Sequence, residues 1–267
     1  MYLLFLILSL CQICNALQII HLTNDNFVAL RGPVTSISVG ETIMNLIEKT
    51  SDIRYIYLST NGGSVTAGLK LINVIKDLEN MNIEVNCIAD TAISMGFVIF
   101  QSCTNRYVLS HSTLMQHQMS LSGVGGKLLE INSYMSHINT IEDELNQMQA
   151  ARINMSQTEF ENRISNDWWL TTNEAINLNV ADTVVMIKCN FKNEKEIVII
   201  NSIFGEIMLV YMKCPQIASP IKVELKLNND TVNNMNDVKD FVDNFINYKQ
   251  KLNPIVLDRF IDIIRFA

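Results

Sequence analysis

Short apolar runs alternate along this chain with segments whose apolar residues recur every three or four positions. FVALRGPV (27–34), RYIYLST (54–60) and VNCIAD (85–90) read as strands, since each is a brief apolar or β-branched run closed by turn-forming residues. Between them, SVGETIMNLIEKT and SVTAGLKLINVIKDLEN carry helical spacing, with Leu69, Ile72, Val74, Ile75 and Leu78 near one face of the second. Strand, helix, strand, helix in succession predicts an α/β fold of parallel strands covered by crossover helices. In such layers functional groups gather at the C-terminal ends of strands. Two of those ends stand out: Asn61-Gly62-Gly63 closes one strand and TAISMG (91–96) closes the next. Adjacent parallel strands bring both to one rim of the sheet.

Further along, RYVLS reads as another strand and residues 130–150 as a long polar helix whose Glu142-Asp143-Glu144 run suits a solvated face. Thr171 and Glu174 have the spacing of a capping box at a helix start. Asp182 reads as a turn or strand-entry residue, and Trp168 and Trp169 as packing residues near the rim. Beyond residue 187, KEIVIINS and EIMLVYMKC form two candidate strands around Phe204-Gly205, and IKVELKL a third. VKDFVDNFINYKQKL sets Val238, Phe241, Val242 and Phe245 on one helical face, and a second amphipathic helix follows Pro254. The organisation expected is a segment 1–16, a main domain 17–187 and a small α+β C-terminal extension 188–267 of unassigned role.

Composition narrows the function classes. With 267 residues and 48% hydrophobic content, the chain can bury a full core. Its net charge of −7 divides into −8 over residues 1–185 and +1 over the remainder, so no segment supplies the basic face that nucleic acid binding needs. The start, MYLLFLILSLCQICNA, is an apolar run too short to span a bilayer and ends at a plausible cleavage residue, Ala16, which predicts a secretory signal peptide although no Lys or Arg precedes the run. The expected location is therefore extracytoplasmic if that signal is used, and cytoplasmic or organellar otherwise. Cys87 and Cys103 lie in apolar segments where a thiol serves as a small core hydrophobe, whereas Cys189 and Cys214 flank a later region and are placed to meet. After residue 16 there is no CxxC pair, and no His/Cys cluster supports a metal site. No cofactor is expected.

Ser94, between Ile93 and Met95, has two readings: an N-cap hydroxyl at a helix start, or a nucleophile beside the free N–H groups and positive dipole end of that helix. Glycine at 62 and 63 permits a positive φ that turns a backbone N–H toward a ligand, so the two rims together suit an oxyanion hole. A serine nucleophile needs a base, and the four histidines are His21, His111, His117 and His137. His111 and His117 bracket STLMQ after a strand, and spacing alone does not choose between them.

Four runs in order, IYLSTNGGSVTAGLKLINVI, CIADTAISMGFVIF, RYVLSHSTLMQHQM and NDWWLTTNEAINLNVADTVV, resemble the proteolytic subunit of the Clp protease, ClpP, over about residues 27–187. The resemblance implies the ClpP/crotonase fold of repeated β-β-α units with a protruding handle helix. FVALRGPV resembles the family's first strand, and GVGGKLLEINSYM the glycine-bearing strand that opens the handle. By position, the resemblance implies Ser94 as nucleophile, His117 rather than His111 as general base, Asp167 as the residue orienting it, and the N–H groups of Gly63 and Met95 as the oxyanion hole. Asn61, Met119 and Asn166 depart from the residues usual at those places, and none of these changes removes a catalytic atom.

The implied activity is a serine endopeptidase acting on unfolded polypeptides or peptides through an acyl-enzyme, with no ATP needed at the chemical step. Substrate is expected to add as a strand between the Ser64-Val65 edge and Gly123, Gly125 and Gly126, where backbone pairing gives affinity without demanding one sequence. The resemblance also implies a homo-oligomeric ring, fed by an ATP-dependent unfoldase if the protein works inside a cell. Two alternatives stand beside this reading: a catalytically silent structural or peptide-binding subunit, and a crotonase-type acyl-CoA enzyme.

Overall fold

The computed structural model describes residues 18–121, 125–191, 194–202, 205–216, 221–226 and 231–232. The signal-peptide reading, Gly123 and the two C-terminal helices fall outside these residues. In chain order the elements of the main body are β1 (Gln18–Leu22), β2 (Phe27–Arg31), α1 (Ser36–Ile47), β3 (Ile53–Thr60), α2 (Val65–Asn80), β4 (Glu84–Ile93), α3 (Met95–Gln101), β5 (Arg106–Gln116), α4 (Leu128–Arg152), α5 (Gln157–Ile164), β6 (Trp168–Thr171), α6 (Thr172–Asn177) and β7 (Thr183–Cys189). The sheet runs β1-β7-β5-β4-β3-β2, all parallel, and β6 pairs antiparallel with the end of β5. The α/β architecture expected from the alternation is the one observed.

The strands read as near-continuous apolar runs because both faces of the sheet are covered. Ile56 and Leu58 point into the larger core with Leu71, Ile75, Phe97 and Phe100, whereas Tyr57 joins a second cluster with Ile20, Phe27, Val185 and Phe191 on the opposite face. Side chains thus alternate between two cores along one strand.

The rim owes its shape to a bulge. Registers on both sides of β4 shift around Asp90, so Leu58 pairs with Ala89 and Ser59 with Thr91. On the other side Ala89 pairs with Val108 and Thr91 with Thr113, which leaves residues 109–112 of β5 as an excursion. Ser112 closes it: its hydroxyl donates to Ala89 O at 2.6 Å, and its N–H donates to the Thr172 hydroxyl at 2.9 Å. A bulge bends its strand and re-aims the residues beyond it. Here it carries Ile93 and Met115 to the same end of the sheet.

Helix α4 is the handle. It is 25 residues long, and its buried residues, Asn146, Gln149 and Ala150, all lie in its C-terminal third. Its beginning projects from the body, with Leu128 72% and Leu129 80% exposed. The expected glycine-bearing strand ahead of it is not formed at residues 125–127, which run as loop. A strand requires a ladder partner, and a Cβ added at Gly125 would meet nothing within 4 Å.

Asp182 does more than enter a strand. Its carboxylate accepts from the Arg106 N–H at 2.8 Å and Nε at 3.1 Å, and lies 3.9 Å from Arg152. Arg106 is buried and also donates to Gln101 Oε1 at 2.6 Å. Burial pushes the Asp182 carboxyl up, but the side-chain and backbone hydrogen bonds of Arg106, with the charges of Arg106 and Arg152, outweigh it and hold the group below its ordinary value. The stability it contributes is therefore full above the unfolded carboxyl pKa of about 4 and fades as pH falls below it. Asp182→Asn is expected to cost about 2 kcal/mol at pH 7, less than a fully buried pair because the carboxylate is partly solvated. Urea titrations at pH 7 and pH 3 check this, with the difference from wild type shrinking at the lower pH.

The expected strands after residue 187 form a separate antiparallel sheet: β8 (Lys195–Ser202), β9 (Gly205–Met212), β10 (Lys222–Lys226) and β11 (Thr231–Val232), in the order β11-β10-β9-β8. Arg31 of β2 ties it to the body, donating to Met212 O at 3.0 Å, pairing with Glu196 at 3.5 Å and lying over the Tyr211 ring. A Cys189–Cys214 disulfide adds a covalent tie, as their flanking positions allowed. The reading of Cys87 and Cys103 as free core thiols is corrected, because these two are also joined. Helix α3 folds back on β4 and sets their Cα atoms 5.7 Å apart, within the range a disulfide spans.

Candidate active site

Ser94 sits between β4 and α3 with φ 55° and ψ −120°. A non-glycine residue rarely occupies this region, so surrounding structure must hold it there. Its N–H donates to Met115 O at 2.9 Å, and its carbonyl accepts from Phe97 N–H at 2.9 Å and Val98 N–H at 3.2 Å. The hydroxyl makes no capping bond, which sets aside the N-cap reading.

The glycine turn lies directly against this residue. Gly62 has φ +88°, and a Cβ there would come within 2.6 Å of Ile93 O and 2.7 Å of the Ser94 Cβ. Gly63, at φ +144°, would drive a Cβ to 2.5 Å from Val34 O. Two bonds hold the turn to residue 34: Val34 N–H to Gly62 O and Ser64 N–H to Val34 O, both 2.8 Å. The Gly63 N–H takes part in neither, and Met95 is the first residue of α3, where an N–H has no intrahelical partner. Among the described residues both N–H groups are without a hydrogen-bond acceptor, and both residues line one cleft with Ser94 and His117.

His117 follows the last residue of β5 and Asp167 precedes the first of β6. The antiparallel register runs Met115 opposite Trp169 and Gln116 opposite Trp168. His117 and Asp167 are the next residues beyond this last pair, one on each side. Gln116 Oε1 accepts from the His117 N–H at 3.3 Å. Asp167 is exposed and does not line the cleft, and among the described residues no hydrogen bond joins the side chains of Ser94, His117 and Asp167. His111, His21 and His137 are exposed and away from it.

The remaining expected residues separate. Val65 lines the cleft, whereas the Ser64 hydroxyl caps α2 by accepting from Ala67 N–H at 3.2 Å. Gly125 and Gly126 are exposed and outside the lining. Trp168 packs against Phe97 and Phe160 and under Arg163, a supporting position, and Trp169 is largely exposed. Thr171 and Glu174 form the expected capping box, whose hydrogen bonds from Thr171 hold the Glu174 carboxyl below its usual value.

Four lining residues carry no functional signal in the sequence: Gln116, Glu142, Asn146 and Gln149. The last three recur at helical spacing along one face of α4. That spacing is visible in the chain, but nothing local distinguishes it from a solvated stripe. No group of three or more potential metal ligands occurs among the described residues, and none of their helices is long and apolar enough to cross a membrane.

A family profile described as Clp protease matches residues 16–188. The ATP-dependent Clp protease proteolytic subunit 2 of Nocardia farcinica (strain IFM 10152) is 29% identical over 146 residues, which cover 54% of this chain and 70% of the relative.

Proposed function

Because the chain belongs to the Clp protease family, we propose that it is a serine endopeptidase that hydrolyses unfolded polypeptides and peptides, with Ser94 as nucleophile, His117 as general base and Asp167 as the group orienting it. One observation carries this reading: Ser94 is held in a rarely populated backbone conformation, its hydroxyl uncommitted, in a cleft shared with His117 and two unpartnered N–H groups. Strain of this kind costs about 1–3 kcal/mol and persists where function requires it.

In the reaction, His117 takes the Ser94 proton as Oγ attacks the peptide carbonyl carbon, and the N–H groups of Gly63 and Met95 stabilise the oxyanion that forms. The proton passes to the departing amine as the C–N bond breaks, leaving an acyl-enzyme. Water, deprotonated by the same imidazole, hydrolyses the ester and restores Ser94. Asp167 approaches His117 when substrate orders the rim, since catalytic hydrogen bonds are often long in the free enzyme. No step consumes ATP.

The chain works as a homo-oligomeric ring, as its family relationship supports. The two disulfides among the described residues suit an oxidising compartment, away from an ATP-driven unfoldase. There it acts alone on short or already unfolded chains. A second reading, a catalytically silent peptide-binding subunit, draws on the exposure of Asp167 and its absence from the cleft lining. Incubating the purified protein with casein and with a short fluorogenic peptide, without an unfoldase and alongside a sizing measurement, separates the two. Turnover of either substrate by a ring supports the peptidase, and a stable ring with no turnover supports the silent subunit.

A further inference from the structure

The floor of the cleft beside Ser94 is built from carboxamides. Gln116, Asn146 and Gln149 are 4%, 8% and 1% exposed. Gln116 Nε2 donates to Gln149 Oε1 at 2.7 Å, and Gln149 Nε2 donates to Leu145 O at 3.0 Å. Each carboxamide offers two N–H donors and an oxygen with two lone pairs. Gln116 and Gln149 therefore each keep a donor in reserve, and the Asn146 side chain makes no hydrogen bond among the described residues. None of these atoms is sealed without a partner, the one such atom among the described residues being Arg31 Nε. The Asn146 carboxamide, unbonded and not sealed, is therefore open beside the cleft it lines with Gln116 and Gln149.

Glu142, from the same face of α4, completes the wall. One of its oxygens accepts from Met119 N–H at 2.8 Å, and no ion pair reaches it among the described residues. The lining contains no lysine or arginine. Pockets that receive apolar side chains are mostly apolar. This slot joins the apolar side chains of Val65, Met95, Val98, Met119 and Leu145 to hydrogen-bonding carboxamides and a carboxylate that no lysine or arginine among the described residues pairs with.

We infer that the slot receives a long side chain ending in N–H donors, glutamine, lysine or arginine, from the substrate residue whose carbonyl Ser94 attacks. This rests on the peptidase reading of the site. A leucine in the same place would cover the carboxamides without pairing them, a loss of about tenfold or more.

Binding to the Ser94→Ala protein tests the slot without relying on turnover. Three labelled peptides, identical except for glutamine, arginine or leucine at one position, are expected to bind with the first two at least about tenfold tighter than the third. Wild type is expected to show the same ranking in kcat/KM. The double variant Gln116→Leu, Gln149→Met reverses the ranking, and Glu142→Gln weakens the arginine peptide while sparing the glutamine one. Leucine binding as tightly as the others, or no binding of any peptide, overturns the slot. Should the double variant fail to fold, the wild-type and Ser94→Ala rankings decide alone. Selective binding without wild-type turnover keeps the slot and removes the peptidase reading. Turnover with a leucine preference does the reverse.

Discussion

Replacing Ser94 with alanine is expected to reduce peptide hydrolysis by about 10⁴-fold or more while leaving the fold intact. The magnitude follows from the all-or-none behaviour of a nucleophile and its base, where loss of either removes the covalent route and leaves only binding and oxyanion stabilisation. The intact fold follows from the structure. The Ser94 hydroxyl caps nothing, and the bonds that hold the residue, to Met115 O and from Phe97 and Val98 N–H, are backbone bonds that alanine retains. Thermal unfolding of Ser94→Ala should therefore match wild type closely. Ser94→Gly should unfold later by the equivalent of about 1 kcal/mol, because glycine adopts φ 55° without penalty. Steady-state rates and melting curves on the same preparations check both halves.

Gly62→Ala is expected to damage activity and stability together. At φ +88° an alanine is strained by about 1–3 kcal/mol. Its Cβ would also stand 2.6 Å from Ile93 O, 2.7 Å from the Ser94 Cβ and 2.9 Å from the Met95 nitrogen. Relief requires the nucleophile and one oxyanion donor to move away from the glycine turn. Misplacing a donor costs about 100- to 1,000-fold in rate, so the folded fraction should lose at least about 100-fold in kcat. Gly40→Ala in α1 is the matched control: an added Cβ there meets nothing within 4 Å, and alanine in a helix gains about 0.5–1 kcal/mol. Unfolding curves with rates taken well below the transition distinguish the pair.

Features set by neighbours in the chain were legible in the sequence. The apolar runs gave β2 to β4, because a strand buried on both faces leaves a continuous apolar signature, and the β-branched runs after residue 187 gave β8 to β10, although Ile197 and Ile199 of β8 are exposed. The Thr171–Glu174 box was readable since both partners lie within one turn of helix. Pairings across the fold were not. Cys87 meets Cys103 only after α3 folds back on β4. Gln116 and Gln149 are 33 residues apart and bond where α4 crosses the end of β5. The bulge at Asp90 has no marker in a run of strand-forming residues, yet it aims the rim. His117 was selected over His111 by family resemblance, and the structural reason is the end of β5: His111 lies in the excursion, exposed, while His117 emerges beside the cleft. The expected strand at Gly125 and Gly126 failed for the converse reason, having no neighbour with which to pair.

Peptide hydrolysis by this chain requires the Ser94 hydroxyl to be an activated nucleophile served by His117. Intact-mass analysis after exposure to a fluorophosphonate measures that activation directly. One adduct per chain is expected on wild type, mapped to Ser94, with none on Ser94→Ala and labelling slowed by at least about 100-fold in His117→Ala. Equal labelling of wild type and Ser94→Ala, or a His117→Ala rate unchanged from wild type, would contradict it.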